Sequence, residues 1–372
     1  MPPKSSTDTL TLGNALVIGG CGFLGHHIVN LLCDSYKCKV FVIDVKTTRN
    51  RRPESDGVQY FDGDITNISS LLPLFQQIKP DVVFHTASPT LAGGSRELYY
   101  KVNVEGTKCV IEACQKTNVK ALVYTSSASV ISDNTSDLIN ADERWPIIAP
   151  KNQTEYYSQT KAEAETLVLA ANRTDKLLTG SIRPATIFGP ADVQLIPNLL
   201  NVLKNNQTGF QLGPNENLFD FTYVENVAHA HCLLARALIY TASLSTAPLD
   251  YEKVDGEAFF ITNDSPIYFW DFARMVWKVA GSDKGLEHVW ELPKDLMLTI
   301  GDIAEWVMWL VGKKPKLTRR EVRYSCMTRY YNITKAKTRL GYKPIVSVKE
   351  GIERSVAWFQ ERDREEAEKK GQ

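Results

Sequence analysis

The sequence predicts an α/β fold: a doubly wound parallel sheet followed by a smaller C-terminal substrate-binding lobe. Three observations carry that prediction. A glycine-rich turn, Gly19-Gly-Cys-Gly22-Phe-Leu-Gly25, lies between the apolar run Ala15–Ile18 and a helical pattern of Phe23, Leu24, Ile28, Leu31 and Leu32. Apolar runs of strand length then alternate with helical patterns as far as Pro190, the sign of successive βαβ units. Beyond 190 the alternation gives way to helices, short strands and loops rich in Pro, Gly and Asn.

The first strand and its turn have the spacing G-x-x-G-x-x-G, in the strand–turn–helix context that a dinucleotide site requires. Glycine lets the backbone approach a pyrophosphate, and the helix N-terminus offers free N–H groups and the positive end of a dipole. Gly19, Gly22, Phe23, Leu24 and Gly25 are therefore candidate cofactor contacts in a Rossmann-type unit. The second strand, Lys39–Ile43, ends in Asp44, about 20 residues past Gly25, where an acid binds the adenosine ribose and repels a 2′-phosphate. That favours NAD. Lys46, Arg49, Arg51 and Arg52 just beyond are the residues NADP would need.

A third strand, Val58–Phe61, leads to Asp64 and Ile65, near where adenine would lie. The fourth, Pro80–Phe84, is followed by His85 and by Thr86, Ala87 and Ser88, placed at a strand's carboxyl end and so beside a cofactor. His85 lacks metal-ligand spacing and is read as structural. Asn103 opens the inward face of the next helix. The fifth strand, Ala121–Tyr124, runs into Thr125-Ser126-Ser127, and Ser127 is in place to hydrogen-bond a substrate oxygen. A helix from Glu155 then carries Tyr157 and Lys161. Four residues apart, they share a helix face. The expectation is that the ammonium lowers the phenol pKa and makes it a proton acceptor at neutral pH. A sixth strand, Leu178–Ile182, ends in the Arg183–Pro190 loop, where Pro184, Ala185 and Ile187 border the same edge.

The domain reading is 14–190 for the dinucleotide unit, with 219–235 returning to it, and 191–360 for the small lobe, including the strand Ala258–Ile261. Residues 1–13 and 361–372 are read as flexible tails. Leu296–Val311 is the most apolar run, but it is short for a span and contains Asp302 and Glu305. Residues 313–339 hold ten Lys or Arg and a single acid. Together, 296–316 is read as a segment lying on an anionic bilayer.

The 372 residues carry 43 basic and 43 acidic side chains, so no global charge draws the chain to nucleic acid. Seven cysteines without metal-type pairs read as reduced core residues. Residues 1–14 lack a signal-peptide pattern, which together with the reduced cysteines puts the catalytic part on the cytosolic side.

With the glycine turn, Asp44, Ser127 and Tyr157/Lys161 in view, the chain resembles extended short-chain dehydrogenases. Longer blocks resemble the 3β-hydroxysteroid dehydrogenase group, and within it the fungal sterol-4α-carboxylate 3-dehydrogenases (decarboxylating). These are Gly19–His27, Tyr124–Val130, Asp220–His231 and Arg329-Tyr-Tyr-Asn332. Phe188 departs from the tyrosine many extended members have there. The resemblance implies NAD-dependent oxidation of a 3β-hydroxyl with loss of the C4 carboxyl, at the endoplasmic reticulum membrane as a peripheral or monotopic protein. It also implies work beside a C4 methyl oxidase and a 3-keto reductase. The catalytic expectation is Tyr157 as base, Lys161 as its modulator and nicotinamide-ribose ligand, and Ser127 on the reacting oxygen. No cation is expected to be tightly paired with the substrate carboxylate, since that would favour the ground state. A homodimer is carried as an expectation. The alternatives are a 3β-hydroxysteroid dehydrogenase/isomerase and the same chemistry on another 4-carboxy triterpenoid.

Overall fold

The computed structural model describes residues 11–90, 94–310 and 318–371. The first half runs β1 (Gly13–Ile18), α1 (Phe23–Ser35), β2 (Cys38–Asp44), β3 (Gln59–Asp62), α2 (Ile68–Ile78) and β4 (Val82–His85). Then come α3 (Arg96–Tyr99), a π-helical stretch at Tyr100–Glu105, α4 (Gly106–Lys116), β5 (Ala121–Thr125), β6 (Leu138–Ala141), α5 (Tyr156–Ala170) and β7 (Leu178–Pro184). The second half runs β8 (Thr186–Phe188), α6 (Leu195–Lys204), β9 (Phe210–Leu212), β10 (Leu218–Phe219), β11 (Phe221–Tyr223), α7 (Val224–Ala242) and β12 (Glu257–Ile261). It closes with β13 (Ile267–Tyr268), α8 (Phe269–Val279), β14 (Trp290–Leu292), α9 (Lys294–Leu310), α10 (Arg319–Cys326), β15 (Arg329–Tyr331) and α11 (Val348–Gly371).

Seven parallel strands form the main sheet in the order β12-β7-β5-β4-β1-β2-β3. Both faces are covered, so the central strands read as continuous apolar runs rather than alternating ones; Ala15–Ile18 and Val82–Phe84 are fully buried. Helices α1 and α7 pack one face around Ile28, Leu32, Leu234 and Leu238, and α2, α4 and α5 pack the other around Phe75, Val110 and Val168. A separate aromatic core of Phe188, Phe219, Phe221, Tyr223 and Phe272 holds the small lobe. There, Phe221 and Phe272 stack with ring centres 3.8 Å apart.

Two assignments differ from the sequence reading. The strand at 258–261, expected in the small lobe, is β12, the edge of the main sheet, paired with β7 from Glu257↔Gly180 to Ile261↔Pro184. Segment 219–235 returns only through α7. β11 itself pairs with β8 (Phe221↔Thr186) in a two-stranded sheet of its own. The long excursion between α7 and β12 breaks the βα rhythm, so pattern alone could not assign that edge strand. The expected tails also differ. Leu12 is buried and Gly13 begins β1, while 361–371 continue α11, exposed over 361–369; residues 1–10 lie outside the described set.

A buried ion pair ties α5 to β7. Arg183 Nη2 lies 2.6 Å from Glu165 Oε1, and Ser181 Oγ donates to Glu165 Oε2 at 2.9 Å. It fixes the catalytic helix against the sheet beneath it.

Candidate active site

A crevice of about 680 Å³ opens at the carboxyl ends of the central strands, where the strand order reverses between β1 and β4. Doubly wound sheets bind ligands at this point. Gly19 has φ +81°, and a Cβ there would stand 2.8 Å from the Ala87 amide nitrogen; one on Gly25 would stand 2.1 Å from the Gly19 carbonyl oxygen. Only a turn without those side chains packs this tightly. It leaves the N-terminus of α1 open to the crevice, flanked by Gly22, Phe23 and Leu24. These residues fit the pyrophosphate of a dinucleotide.

Asp44 is buried at the end of β2, with one carboxylate oxygen accepting the Cys21 amide at 3.0 Å, and it lines the crevice. Of the four nearby cations, Arg52 pairs with Asp34 at 2.7 Å and Asp56 at 2.6 Å, and Arg51 lies 4.5 Å from the Tyr60 ring centre. Arg49 is the one that borders the crevice. Asp64 also lines it, its carboxylate accepting the Thr66 amide at 2.9 Å, with Ile65 buried beside it. The Thr86 hydroxyl donates to the Ile18 carbonyl at 2.8 Å, fastening β4 to β1, and Ala87 and Ser88 follow along the wall.

Asn103 is the predicted contact that the structure does not bring to the crevice wall. It is buried one layer back. Its Nδ2 donates to Thr160 Oγ1 at 3.0 Å, and its Oδ1 accepts the Ser88 hydroxyl at 2.9 Å. The π-helical stretch that carries it turns the residue off the regular helical register. Its place is to orient Ser88.

Tyr157 and Lys161 share one face of α5 and both line the crevice, together with Ser126 and Ser127 from the end of β5 and Pro184, Ala185 and Ile187 from the β7–β8 passage. Burial pushes the Tyr157 phenol up to about 12; the Ser88 side chain, hydrogen-bonded to it, pulls the other way, and the nearby Glu155 and Tyr99 add to the rise. Burial lowers Lys161 to about 7. Its Nζ donates to the Thr125 carbonyl and lies 4.6 Å from the Tyr124 ring centre. The expected depression of the phenol by Lys161 is not met: the ammonium is turned to the strand end, burial holds the phenol above its ordinary value, and Ser88 offsets only part of the rise. Ser127 is tied to Ser129, whose Oγ lies 2.8 Å away and whose amide donates to Ser127 Oγ at 3.1 Å. Ser158 Oγ lies 2.8 Å from Ser129 Oγ and 2.9 Å from Glu155 Oε2, which extends a hydroxyl chain from Ser127 to Glu155. His85 is buried with Nε2 2.9 Å from Thr107 Oγ1, a structural placement.

Sequence reasoning missed the far wall. Val193, Leu195, Tyr324 and Met327 give an apolar surface, and Arg320 and Arg329 two guanidinium groups. Arg320 is ion-paired with Glu155, and Tyr324 Oη lies 2.7 Å from Thr186 Oγ1. From sequence, the basic run that contains these arginines reads as part of a bilayer-facing surface. In the structure its described members are largely engaged within the protein. Arg319 pairs with Asp302 at 3.1 Å, Lys335 with Glu257 at 2.6 Å and Lys337 with Asp264 at 2.6 Å.

The chain matches the model of the 3-beta hydroxysteroid dehydrogenase/isomerase family over residues 16–294. It is 44% identical over 347 residues to a decarboxylating sterol-4-alpha-carboxylate 3-dehydrogenase of Schizosaccharomyces pombe, covering 93% of this chain and 97% of that one. It is 43% identical over 358 residues to the protein of the same description in Saccharomyces cerevisiae, covering 94% and 99%. Among solved structures, dTDP-glucose 4,6-dehydratase of Bacillus anthracis in complex with NAD shares the fold, with TM-score 0.68, 19% identity and coverage of 95% and 98%. The glycine turn, the Tyr157/Lys161 face and these matches lead to one assignment: the chain belongs to the 3-beta hydroxysteroid dehydrogenase/isomerase family.

Proposed function

We propose that the chain oxidises the 3β-hydroxyl of a sterol 4α-carboxylate to the ketone and releases the C4 carboxyl as CO2. The observation that carries this reading is the opening of Tyr157 and Lys161 onto the crevice that also contains the glycine turn and Asp44. The relatives at 43–44% identity support the substrate class. NAD supplies the hydride acceptor when bound, and Asp44 with Arg51 and Arg52 engaged elsewhere favours it over NADP.

Tyr157 takes the proton of the C3 hydroxyl, with Ser127 hydrogen-bonded to the same oxygen. Ser88, beside the phenol, stabilises the phenolate when its hydroxyl proton turns from Asn103 Oδ1 to the phenolate oxygen. Lys161, whose ammonium reaches the end of β5, would hold the nicotinamide ribose. Once C3 is a ketone, the C4 carboxyl is beta to it. Cleavage of the C4–CO2 bond sends its electron pair into the C3 carbonyl. Tyr157, now protonated, and Ser127 steady the resulting enolate oxygen, and C4 is then protonated. No further group is needed to break the bond.

The apolar face of α9 supports peripheral attachment to the cytosolic side of the endoplasmic reticulum membrane. Leu296, Ile300, Ile303 and Trp306 are exposed. Among the described residues, no helix is long and apolar enough to cross a membrane; the rest of the expected segment, 311–316, lies outside them. A C4 methyl oxidase would supply the carboxylate and a 3-keto reductase would consume the ketone. Incubation with NAD and a 4α-carboxysterol, assaying NADH and CO2 together, tests the reading. Equimolar release of both is expected. An unsaturated ketone without CO2 would transfer the protein to the isomerase reaction.

A further inference from the structure

We propose that Arg329 is the receptor for the substrate's carboxylate, and so the residue by which the site selects carboxylated over neutral sterols. This rests on the substrate class given above.

Arg329 is 7% exposed and yet lines the crevice. Its Nε donates to the Tyr331 hydroxyl at 2.8 Å, and its guanidinium lies 5.8 Å from the Tyr324 ring centre. Among the described residues, no carboxylate stands within ion-pair distance of it, and its two Nη nitrogens have no hydrogen-bond partner. Cations near it in sequence differ: Arg320, Lys335 and Lys337 each have an acidic partner. A buried charge left without a counter-charge is costly, and an anion brought in by a ligand removes the cost. The guanidinium presents a planar fork suited to a carboxylate.

The position is rigid. β15 is held between β6 and β10 in a four-stranded sheet, and Asp220 on the adjoining turn donates its amide to the Arg329 carbonyl at 2.9 Å. It is also on the substrate side. Tyr324, over which Arg329 lies, is bonded to Thr186 in the β7–β8 passage, whereas the pyrophosphate cradle is at Gly19–Gly25. Glu155, two residues before Tyr157, acts electrostatically on both Tyr157 and Arg329. Of the acids on this wall, Glu155 is paired with Arg320 and the Asp192 carboxylate accepts the Gln194, Leu195 and Ile196 amides, so neither is ion-paired with Arg329. The unpaired guanidinium matches a singly charged anion next to the reacting carbon.

The expectation that no cation meets the carboxylate is revised accordingly. The reason given for it still sets what Arg329 does. A guanidinium on the carboxylate binds ground state and oxidation transition state alike and does not receive the electrons released with CO2. It therefore acts on affinity and choice of substrate, and gives no help to bond cleavage, where its hold on the departing carboxylate is a cost.

The test compares a 4α-carboxysterol with its methyl ester on the NADH-bound wild-type protein and on Arg329→Gln and Arg329→Lys, measuring binding and, with NAD, NADH formation. The wild type should bind the acid more tightly than the ester. Arg329→Gln should lose about 100-fold in affinity for the acid, the scale for a desolvated charge pair, and less than about threefold for the ester. Arg329→Lys, which keeps the charge beside Tyr324, should recover part of the loss. Equal binding of acid and ester by the wild type would overturn the assignment whatever the variants do, as would parallel losses on both ligands in a variant that still binds NADH. Discrimination without turnover would keep Arg329 as the anion receptor and reject the proposed reaction. Turnover without discrimination would do the reverse.

Discussion

The Lys161 ammonium lies 4.6 Å from the centre of the Tyr124 ring and donates to the carbonyl of Thr125, the last residue of the same strand. The ring face and the carbonyl oxygen are both partial negative charges, but they replace water incompletely. Burial therefore dominates and lowers the Lys161 pKa to about 7.

That shift makes stability depend on pH with a defined sign. Between about 7 and the ordinary lysine value, the unfolded chain binds the proton and the folded one does not, so stability rises with pH across that window. Below about 7 both forms are charged, and the folded state bears the full cost of the buried ammonium. Lys161→Met should therefore raise Tm most near pH 6, with the advantage shrinking as pH approaches 10, while oxidation of the sterol is lost. Thermal melts of both proteins across that range check it. A variant less stable than the wild type at pH 6 would contradict it.

Ser88 rather than Lys161 is the side chain that lowers the phenol pKa in this structure. Removing it leaves the pKa of Tyr157 still further above neutrality. Ser88→Ala should shift the rising limb of the kcat/KM profile to higher pH and cut the rate about tenfold at pH 7, the effect of one weakened proton-transfer partner. Asn103→Ala should do the same to a smaller degree, because it holds Ser88 at 2.9 Å without touching the crevice. Tyr157→Phe should abolish NADH formation at every pH while NAD binding stays within about threefold. Normal turnover by Tyr157→Phe would remove it from the chemistry.

Much of this site is legible in the sequence because it depends on local features. The glycine turn, Asp44 and the Tyr157/Lys161 spacing are each fixed within one βα unit, where neighbours in sequence are neighbours in space. Arg329 and Arg320 were not legible as site residues. They reach the crevice only because β15 and α10 fold back across it from more than 150 residues beyond the β5 end. Sequence alone placed them in a run of like charges. The run has no common role: Arg319 serves α9, Lys335 serves β12, and Arg329 is buried at the crevice wall. β12 is hard to assign for the same reason, since β8 to β11, α6 and α7 lie between it and its partner β7.

Cofactor choice turns on Asp44 and Arg49. The Asp44 carboxylate is held by the Cys21 amide and faces the crevice, whereas Arg49 borders the same rim without an ion pair of its own among the described residues. Wild-type protein should prefer NAD. Asp44→Ser removes the repulsion toward a 2′-phosphate and leaves Arg49 to attract it. The ratio of kcat/KM for NADP over NAD should rise by about 100-fold, and Arg49→Ala in that background should reverse most of the gain. A wild-type protein that already prefers NADP would reject the role assigned to Asp44.

The mode of membrane attachment can be separated into apolar and electrostatic parts. On α9, Leu296, Ile300 and Ile303 recur at helical spacing with Trp306 one turn on, and all four are exposed. The cations next in sequence, expected to bind lipid headgroups, are in part ion-paired within the chain, Arg319 with Asp302 and Glu305 of α9 and Arg320 with Glu155. A cation already paired with an acid of the same chain presents little net charge to a bilayer, so attachment should depend on buried apolar area more than on anionic lipid. In vesicle co-sedimentation, Ile300→Asp with Ile303→Asp should reduce the bound fraction by about tenfold or more, because each inserted charge opposes insertion. Raising the salt from 50 to 500 mM, by contrast, should change wild-type binding by less than about threefold. The activity of the double variant on a detergent-solubilised sterol should be preserved, since neither isoleucine lines the crevice. Strong salt sensitivity with no effect of the aspartates would return the attachment to the basic residues.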